Sequence, residues 1–357
     1  MRANSGSGAA ILDRMTNTLC RRSALLLLLA GSLATAQAAK VEMVVGGTSF
    51  RKTVGERHWL EFQQKIDSGS RGEIKPKMLI HGELGSEEQI VSGLRRGRVQ
   101  YANLSGLITS TLVPEAALLY APYLFDSAAE ADYVLDRYLS REFETLLAKK
   151  GLQFIVFYDL GFQQLWARKR PILNPEDARG VRFRISASKS ALVFGKALDA
   201  DLIPLGFADI IPSLQTGLIE AGENGVTLYA RTGTAPEAPH LTLTDHSLAL
   251  SIIVADLRWW KRLTAAQQQL IRSAFPSAER IRRAERAEIA ADIAGAAKLR
   301  FRAYPLTDAQ RARWIATMRP THAELIREIG GDSARIYAEI NRYRAQFAQA
   351  SRSAGTN

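Results

Sequence analysis

The segment KRPILNPEDARGVRFR, from Lys169 to Arg184, is the stretch of this sequence that decides the fold. It ends in alternating apolar and basic residues, which predict a β-strand over residues 181–185. The chain beyond it predicts a helix over 188–198, a strand near Leu202, a helix over 210–214 and a strand over 219–223. Strands spaced by helices indicate an α/β fold with parallel βαβ units, in which helices cover a sheet.

The same alternation comes earlier in the chain. Apolar strand patterns lie at residues 41–45, 77–80, 99–104 and 152–158. Helical patterns separate them, and these open with the capping residues Thr53, Ser86 and Ser127. The first block ends near Gly161 and a second begins at Gln164, so the restarted pattern predicts two lobes.

The C-terminal third has a different character. Residues 241–254 form an apolar, extended stretch that is long enough to cross between two lobes. Residues 265–301 are rich in strong helix formers and are interrupted only by Pro276, and further helices are expected at 308–326 and 333–347. We predict lobe I from residues 39–161 plus about 246–285, lobe II from 162–245 plus about 286–349, and a disordered tail over 350–357.

The N-terminus predicts a secretory signal peptide over residues 1–38. Arg21 and Arg22 precede a run of five leucines, and Ala36-Gln37-Ala38 supplies the small residues of a cleavage site. The apolar run is shorter than the roughly 20 residues that span a bilayer. We therefore expect export and cleavage near Ala38, with an uncleaved N-terminal anchor as the alternative.

Composition excludes several classes of function. Cys20 is the only cysteine and lies in the predicted signal, so we expect no disulfide, no cysteine catalysis and no thiolate metal site. The net charge is +11, but arginines such as those at 280–286 are interleaved with glutamates. That pattern is typical of a solvated helical face, and we expect no nucleic acid partner.

Motifs of common enzymes are missing. The sequence has no Gly-rich phosphate loop, no His-Glu-x-x-His pair and no Gly-x-Ser-x-Gly elbow. The five histidines are never at the spacing of a helix-borne metal site, and they are His58, His81, His240, His246 and His322. We expect a protein that is not an enzyme and has no catalytic residue, metal or cofactor.

Three segments, in the correct order, resemble the dicarboxylate-receptor family of TRAP-type (tripartite ATP-independent periplasmic) solute receptors. The first two are Gly82–Gln89 followed by Leu94 and Gly97, and Pro114 with Ala121–Phe125. The third comprises Lys169–Ile172, Pro175–Asp177, Gly180–Arg184, Pro204, Phe207, Leu214–Gly217 and Gly222–Asn224. The resemblance covers roughly residues 41–270.

The resemblance implies a two-lobed periplasmic-binding-protein fold of the class II-like type, with a long helix that spans both lobes. It implies an extracytoplasmic receptor, periplasmic and monomeric, that closes on a small organic carboxylate. The receptor would deliver this solute to the membrane permease subunits of a TRAP transporter. A periplasmic sensor subunit and a secreted enzyme acting on a small acid remain the alternatives.

The family's binding residues can be carried over to individual positions. Arg184 matches the arginine that holds the ligand's carboxylate, and a planar guanidinium suits a bidentate carboxylate pair. Asn224 matches a hydrogen-bonding asparagine, and Phe207 an aromatic that covers the ligand's carbon skeleton. Strand alternation places Arg182 on the same face as Arg184, where solvation or a structural acid is the expected partner of Arg182.

Three further positions complete the expected site. Thr48 and Ser105 end strands of the first lobe and supply hydroxyl groups, whereas Gln163 stands where many family members have a second arginine. Losing that cation disfavours a dicarboxylate held at both ends. It favours a monocarboxylate, a keto acid or an aromatic acid.

Overall fold

The computed structural model describes residues 41–354 of the chain. The predicted signal peptide, with its cleavage site near Ala38, lies outside the described residues. Within the described range, helices and the strands of a sheet alternate along the chain. None of these helices is both long enough and apolar enough to cross a membrane.

The strands of this range belong to a single mixed sheet. They are β1 (Val41–Gly46), β2 (Ile74–Leu79), β3 (Tyr101–Ser105), β4 (Leu152–Ala167), β5 (Arg182–Ile185), β6 (Asp201–Pro204), β7 (Ala221–Gly225), β8 (His240–Asp256) and β9 (Arg302–Pro305).

Helices connect most of these strands. They are α1 (Val54–Gly69), α2 (Glu87–Arg95), α3 (Gly106–Leu112), α4 (Ala128–Val134), α5 (Ser140–Ala148), α6 (Lys189–Ala197), α7 (Ile210–Thr216), α8 (Val226–Arg231), α9 (Thr234–Glu237), α10 (Leu257–Arg262), α11 (Ala265–Ala274), α12 (Ala278–Ala294), α13 (Asp308–Met318), α14 (His322–Ile329) and α15 (Ser333–Ala354). A π-helical turn, Leu135–Leu139, joins α4 to α5.

The predicted capping residues begin their helices. The Thr53 hydroxyl accepts a hydrogen bond from the Glu56 amide at 3.3 Å, and α1 follows. At the start of α2 the Ser86 amide donates to Gln89 Oε1 at 2.7 Å. Each contact satisfies a main-chain donor that the first turn of a helix leaves without a partner, so these helix starts are encoded locally.

The sheet is mixed, so the expected parallel βαβ units form part of it, as in β5-α6-β6, while its middle is antiparallel. Its order is β2-β1-β3-β8-β4-β7-β5-β6, with β9 also paired to β8. Strand β8 runs antiparallel to β3 and β4, and β4 runs antiparallel to β7, whereas β1–β3, β5–β6, β5–β7 and β8–β9 are parallel. Alternating strands and helices do not determine strand direction, because a helix can also join strands that are not neighbours in the sheet.

The long pair β4 and β8 forms the middle of the sheet. Strand β4 is continuous over Leu152–Ala167, although we predicted a break between two blocks near Gly161. The chain passes this point with a register shift between Asp159 and Phe162 and with Gly161 at a φ of +81°. A bulge at a glycine bends a strand without ending it, which is why the predicted break lies inside one strand.

Buried apolar side chains form separate cores at the two ends of this strand pair. The elements around the first core make up the first side of the molecule, and the elements around the other cores make up the second side. Phe154, Phe157 and residues 248–254 of β8 pack into a core with β3, α4 and α5. Leu165, the neighbouring Trp166 and Leu241, at the other ends of β4 and β8, pack into cores with β5 and β7. This division is that of a two-lobed fold, and the exact lobe bounds stay a prediction.

Helix α12 runs along both sides, in the region where we predicted a lobe-spanning helix. The predicted interruption at Pro276 separates it from α11. Arg286 pairs with Asp132 at 2.6 Å, on the first side, whereas Asp292 pairs with Arg231 of α8 at 2.7 Å, on the second. Ion pairs at the middle of α12 and near its C-terminal end therefore tie this helix to both groups of elements.

The last helix, α15, corrects the expectation for the C-terminus. It extends to Ala354, so residues 350–354 of the predicted disordered tail are helical. Residues 350–354 are Ala-Ser-Arg-Ser-Ala, and they extend a helix that the buried Ile336 and Ile340 already anchor. Residues 355–357 lie outside the described range.

Candidate functional site

A cavity of about 360 Å³ lies where elements of the first side and elements of the second side meet. This volume is in the range of sites for small molecules. All six residues predicted for the site line this cavity, and they are Thr48, Ser105, Gln163, Arg184, Phe207 and Asn224. Residues 176 positions apart in sequence, such as Thr48 and Asn224, therefore reach one space.

Arg184 brings a buried positive charge to the cavity wall. It is 6% exposed, and its Nε and Nη2 atoms donate to the Leu205 carbonyl at 3.1 and 2.9 Å. Within the described residues no carboxylate forms an ion pair with it. Burial lowers the pKa of this guanidinium, and the field of Glu223 opposes that shift. An arginine remains charged in proteins, so its free donors suit an anion.

Arg182 has the structural role expected for it. It is exposed, its Nε donates to the Gly217 carbonyl at 3.1 Å, and its Nη2 lies 3.0 Å from Glu220 Oε1. The two arginines of β5 therefore differ: one is compensated by an acid and the other is not.

Asn224 lies on β7 with its amide orientation determined by a neighbour. Trp166 Nε1 can only donate, and it donates to Asn224 Oδ1 at 2.9 Å. The Nδ2 group is consequently left as a donor. Because the side chain is buried and lines the cavity, Asn224 offers this donor to whatever the cavity holds.

Two phenylalanines from distant parts of the chain meet at the cavity. Phe207 is 39% exposed and belongs to the 3-10 turn Phe207–Asp209. Its ring centroid lies 5.9 Å from that of Phe50, at an interplanar angle of 54°. Phe207 was predicted as a site residue from the sequence, whereas Phe50 was not. A single phenylalanine after a strand carries no pattern that distinguishes it from a core residue.

The two residues predicted to supply hydroxyl groups differ in their hydrogen-bond partners. The Ser105 hydroxyl donates to Glu87 Oε2 at 2.6 Å and accepts from the Ile108 amide at 3.2 Å, so it already has a donor and an acceptor partner. Thr48 is exposed and forms a bridge to His81 through its main chain. Ser105 therefore serves α3 as a cap, which a strand-end position alone does not reveal.

Three polar atoms of cavity-lining residues are buried and have no hydrogen-bond partner among residues 41–354. They are Gln163 Oε1, Asn103 Oδ1 and Thr227 Oγ1. Only Gln163 was expected at the site. These oxygens are themselves enclosed, so the three residues reach the cavity through their other atoms.

Acidic side chains also line the cavity. Glu87 accepts from the Ser105 amide at 2.6 Å, Glu223 lies 2.8 Å from His246 Nε2, and Glu285 accepts from the Tyr158 hydroxyl at 2.5 Å. Burial raises the pKa of Glu87, and burial raises the pKa of Glu285 to about 7. The sequence did not predict these acids as site residues, because each stands in a pattern that is typical of an ordinary helix or strand.

Glu285 is the end of a buried chain of polar groups. Tyr158 lies between Glu285 and His58, whose Nδ1 is 2.8 Å from the Tyr158 hydroxyl. Burial lowers the pKa of His58 to about 4, so this histidine is neutral at pH 7. No group of three or more His, Cys, Asp or Glu side chains in the described range is arranged to hold a metal.

Comparison with known proteins identifies the group to which this architecture is similar. A model of the family described as bacterial extracellular solute-binding protein, family 7, matches residues 47–328. A solute-binding protein of Verminephrobacter eiseniae is 25% identical over 270 residues, which are 75% of this chain and 80% of that protein.

Solved structures share the fold. A TRAP periplasmic solute-binding protein from Sulfurospirillum deleyianum, with bound succinate, has a TM-score of 0.74 at 24% identity and covers 85% of this chain and 99% of its own. A sugar acid binding protein from Advenella mimigardefordensis, in complex with galactonate, has a TM-score of 0.78 at 21% identity, with 86% and 100% covered. The two-lobed fold predicted from the sequence is thereby confirmed.

Proposed function

Since this chain belongs to family 7 of the bacterial extracellular solute-binding proteins, we propose that its cavity binds one small organic acid through the guanidinium of Arg184. The chain is a solute receptor of the kind that serves TRAP transporters. We propose the class of its ligand and the residues that hold it on the basis of the cavity.

The charge state of Arg184 carries the proposal. A buried cation without a counter-ion is costly, because the low-dielectric interior replaces water around the charge. The Leu205 carbonyl accepts from two of its nitrogens, and a carbonyl dipole offsets only part of that cost. A ligand carboxylate would supply the missing negative charge and accept from the remaining donors in a charge-assisted hydrogen bond.

The cavity suits one carboxylate better than two. Arg184 is the only arginine or lysine among the described residues that line it. Glu87, Glu223 and Glu285 line the same space, and none of them supplies a positive charge. A second carboxylate group would therefore find no cationic partner on this wall, which favours a monocarboxylate over a dicarboxylate.

The transport cycle follows from the position of the site between two sets of elements. The ligand would bind in the open cleft and stabilise the closed form, because only the closed form brings contacts from both sides to it. The closed receptor would then deliver the acid to a TRAP membrane permease. We propose export, cleavage near Ala38 and function in the periplasm, with no chemical change to the ligand.

Replacing the arginine tests this function. Arg184→Ala removes the only arginine or lysine that residues 41–354 contribute to the cavity wall. We expect the affinity for the acid that the native protein binds best to fall at least about 30-fold. Isothermal titration calorimetry measures the affinity, and mass spectrometry of the acid recovered afterwards shows whether it is unchanged. Arg182→Ala is the matched control, because that guanidinium lies on the same strand and pairs with Glu220.

The outcome separates binding from folding. Circular dichroism and thermal unfolding should show that both variants fold. Undiminished binding by a folded Arg184→Ala protein would reject the assigned role, and recovery of a chemically altered acid would indicate an enzyme.

A further inference from the structure

We infer that an exposed basic patch at the outer edge of the first side binds anionic phospholipid and so holds the receptor at a membrane surface. The patch consists of eight exposed cationic residues, which are Arg95, Arg96, Arg98, Lys149, Lys150, Arg258, Lys261 and Arg262. None of these eight residues lines the cavity. The inference therefore goes beyond the proposed carboxylate binding and can be tested separately from it.

The patch brings together three segments that are distant in sequence. They lie at the C-terminal ends of α2 and α5 and along α10. Arg258 Nη2 donates to the Arg95 carbonyl at 2.8 Å, which joins α10 to α2. The Leu257 amide donates to the Gly151 carbonyl at 3.0 Å, which joins the start of α10 to the residues that follow α5. Hydrogen bonds thus hold the three groups of cations at one edge of the sheet.

Few acids balance this charge. Asp256 is buried, and its Oδ2 lies 3.1 Å from Arg258 Nη2. The register of β1 and β3 brings Glu42 toward the same edge, and Glu144 of α5 accepts a hydrogen bond from Gln153 at 3.2 Å. In the described part of the chain, the cations of the patch other than Arg258 form no ion pair. The patch therefore carries an excess of positive charge and a positive potential.

Helix ends explain these cations only in part. Four of them lie at the last turns or C-terminal caps of their helices, and they are Arg95, Lys149, Lys261 and Arg262. A positive charge there interacts favourably with its own helix, and this effect is confined to one turn. The like charges of three neighbouring segments repel one another. An anionic surface placed on the patch would relieve that repulsion.

The chemistry of the patch fits a lipid surface better than a protein partner. The large hydrophobic side chains exposed among residues 41–354 are Leu60, Leu192, Phe207 and Leu218, and none of them belongs to the patch. A stable protein interface usually has an apolar or aromatic centre, which this patch lacks. Clusters of about four to eight Lys and Arg residues bind anionic lipid through charge alone.

Vesicle binding by the mature protein tests the inference. Vesicles of phosphatidylglycerol and phosphatidylethanolamine are compared with vesicles of phosphatidylcholine and phosphatidylethanolamine by co-sedimentation, so that the two types differ in headgroup charge. At about 50 mM salt the protein should bind the anionic vesicles at least about 10-fold more tightly. This binding should weaken at least about 5-fold at roughly 300 mM salt, because ions screen exposed charges.

A triple variant locates the binding surface. Arg96→Gln, Arg98→Gln and Arg262→Gln together remove three exposed charges from the patch, and we expect the affinity for anionic vesicles to fall at least about 10-fold. The midpoint of thermal unfolding should change little, since these side chains form no ion pair within the described range. Calorimetry should show that the variant binds its solute with unchanged affinity.

A matched triple variant on the second side is the control. Arg170→Gln, Lys298→Gln and Arg300→Gln remove the same charge from exposed positions beside the cores of that side. Vesicle binding should change less than about 2-fold, because these charges lie outside the patch. Equal losses in the two triple variants would show that net charge alone causes the binding, and would overturn the inference.

Two further results would also overturn it. One is equal binding to both vesicle types, or none to the anionic vesicles at low salt. The other is a patch variant that binds vesicles normally but no longer supports solute uptake in cells, which would indicate an acidic protein surface as the partner. Failure of solute binding by the native protein would contradict only the carboxylate function, because vesicle binding is measured without solute.

Discussion

Arg184 and Arg182 are two residues apart on β5, and their surroundings give them different roles. Arg182 is neutralised by Glu220 at 3.0 Å, whereas Arg184 is buried with a carbonyl as its partner. The sequence motif placed both arginines on a strand and the family resemblance selected Arg184. No carboxylate in the described range forms an ion pair with Arg184, and Glu223 acts on it only through its field; this is the structural observation that supports that selection.

Glu285 makes a residue-level prediction about pH. Burial raises its pKa from 4.5 to about 7, against the hydrogen bond from Tyr158, while Glu288 and Asp159 raise it further and Arg57 lowers it. A carboxyl whose pKa is raised in the folded state favours folding most below its unfolded pKa. Its contribution is lost as the pH rises from about 4.5 to about 7.

Glu285→Gln should remove this loss, because glutamine does not ionise and its oxygen can still accept from Tyr158. We expect the variant to gain stability over the native protein by roughly 3 kcal/mol between pH 4.5 and pH 8. Urea unfolding at a series of pH values measures the difference. Glu279→Gln, an exposed glutamate of the same helix, is the control, and a pH-independent difference for Glu285→Gln would show that the buried carboxyl does not titrate in this range.

At the scale of elements, β4 shows how one glycine can change an interpretation. Gly161 has a φ of +81°, and its amide donates to Asp159 Oδ1 at 2.7 Å. A Cβ at this position would lie 2.5 Å from Ile289 Cδ1 of α12. The bend of the strand therefore provides the space in which the long helix packs.

Substitution of two glycines separates backbone strain from this contact. Gly151→Ala introduces a side chain at a φ of +78° with no atom within 4 Å, and we expect a cost of about 1 kcal/mol from strain alone. Gly161→Ala adds the contact with Ile289 and should cost about 1 kcal/mol more. Denaturant unfolding of both variants measures the two free energies.

Shortening Ile289 checks the cause. Ile289→Val removes Cδ1, so the extra cost of Gly161→Ala should largely disappear in the double variant. Equal stability of Gly151→Ala and Gly161→Ala would mean that α12 does not pack on β4 at this point.

At the scale of the whole molecule, Arg231 connects parts that the cleft separates. Its Nη1 donates to the Lys52 carbonyl at 2.8 Å, and its Nη2 pairs with Asp292 at 2.7 Å. Arg231 belongs to α8, on the second side of the sheet, whereas Lys52 precedes α1 on the first. Arg231 does not line the cavity, so it can influence ligand binding only through the arrangement of the two sides.

Arg231→Ala should favour the open form and thereby weaken ligand binding. We expect a loss of affinity of about 3- to 10-fold, expressed mainly as faster dissociation, because the pair is partly exposed and screened by solvent. Stopped-flow kinetics measures the rates, and small-angle X-ray scattering measures the ligand-free radius. Arg342→Ala, which breaks an ion pair inside α15, is the control, and unchanged rates for Arg231→Ala would contradict this role.

Much of this protein could be predicted from its sequence because the responsible interactions are local. The caps at Thr53 and Ser86 act within one helical turn, and the extended apolar stretch predicted over 241–254 forms most of β8. The motif around Arg184 is also local, and the family it indicated is confirmed. The antiparallel pairing at the middle of the sheet and the continuity of β4 depend on neighbours distant in sequence, and there the expectations were wrong. The end of α15 was also predicted wrongly, because an anchored helix continues through it.

The sequence by itself determined the type of most elements, the family and the position of the cation. Only the tertiary structure decided which polar groups would be left without partners. Asn103 and Thr227 stand in ordinary strand and helix patterns, and nothing in those patterns shows that the folded chain buries their oxygens without supplying donors. Hydrogen-bond satisfaction is a property of the packed molecule, since each partner comes from another element, and no local pattern encodes it.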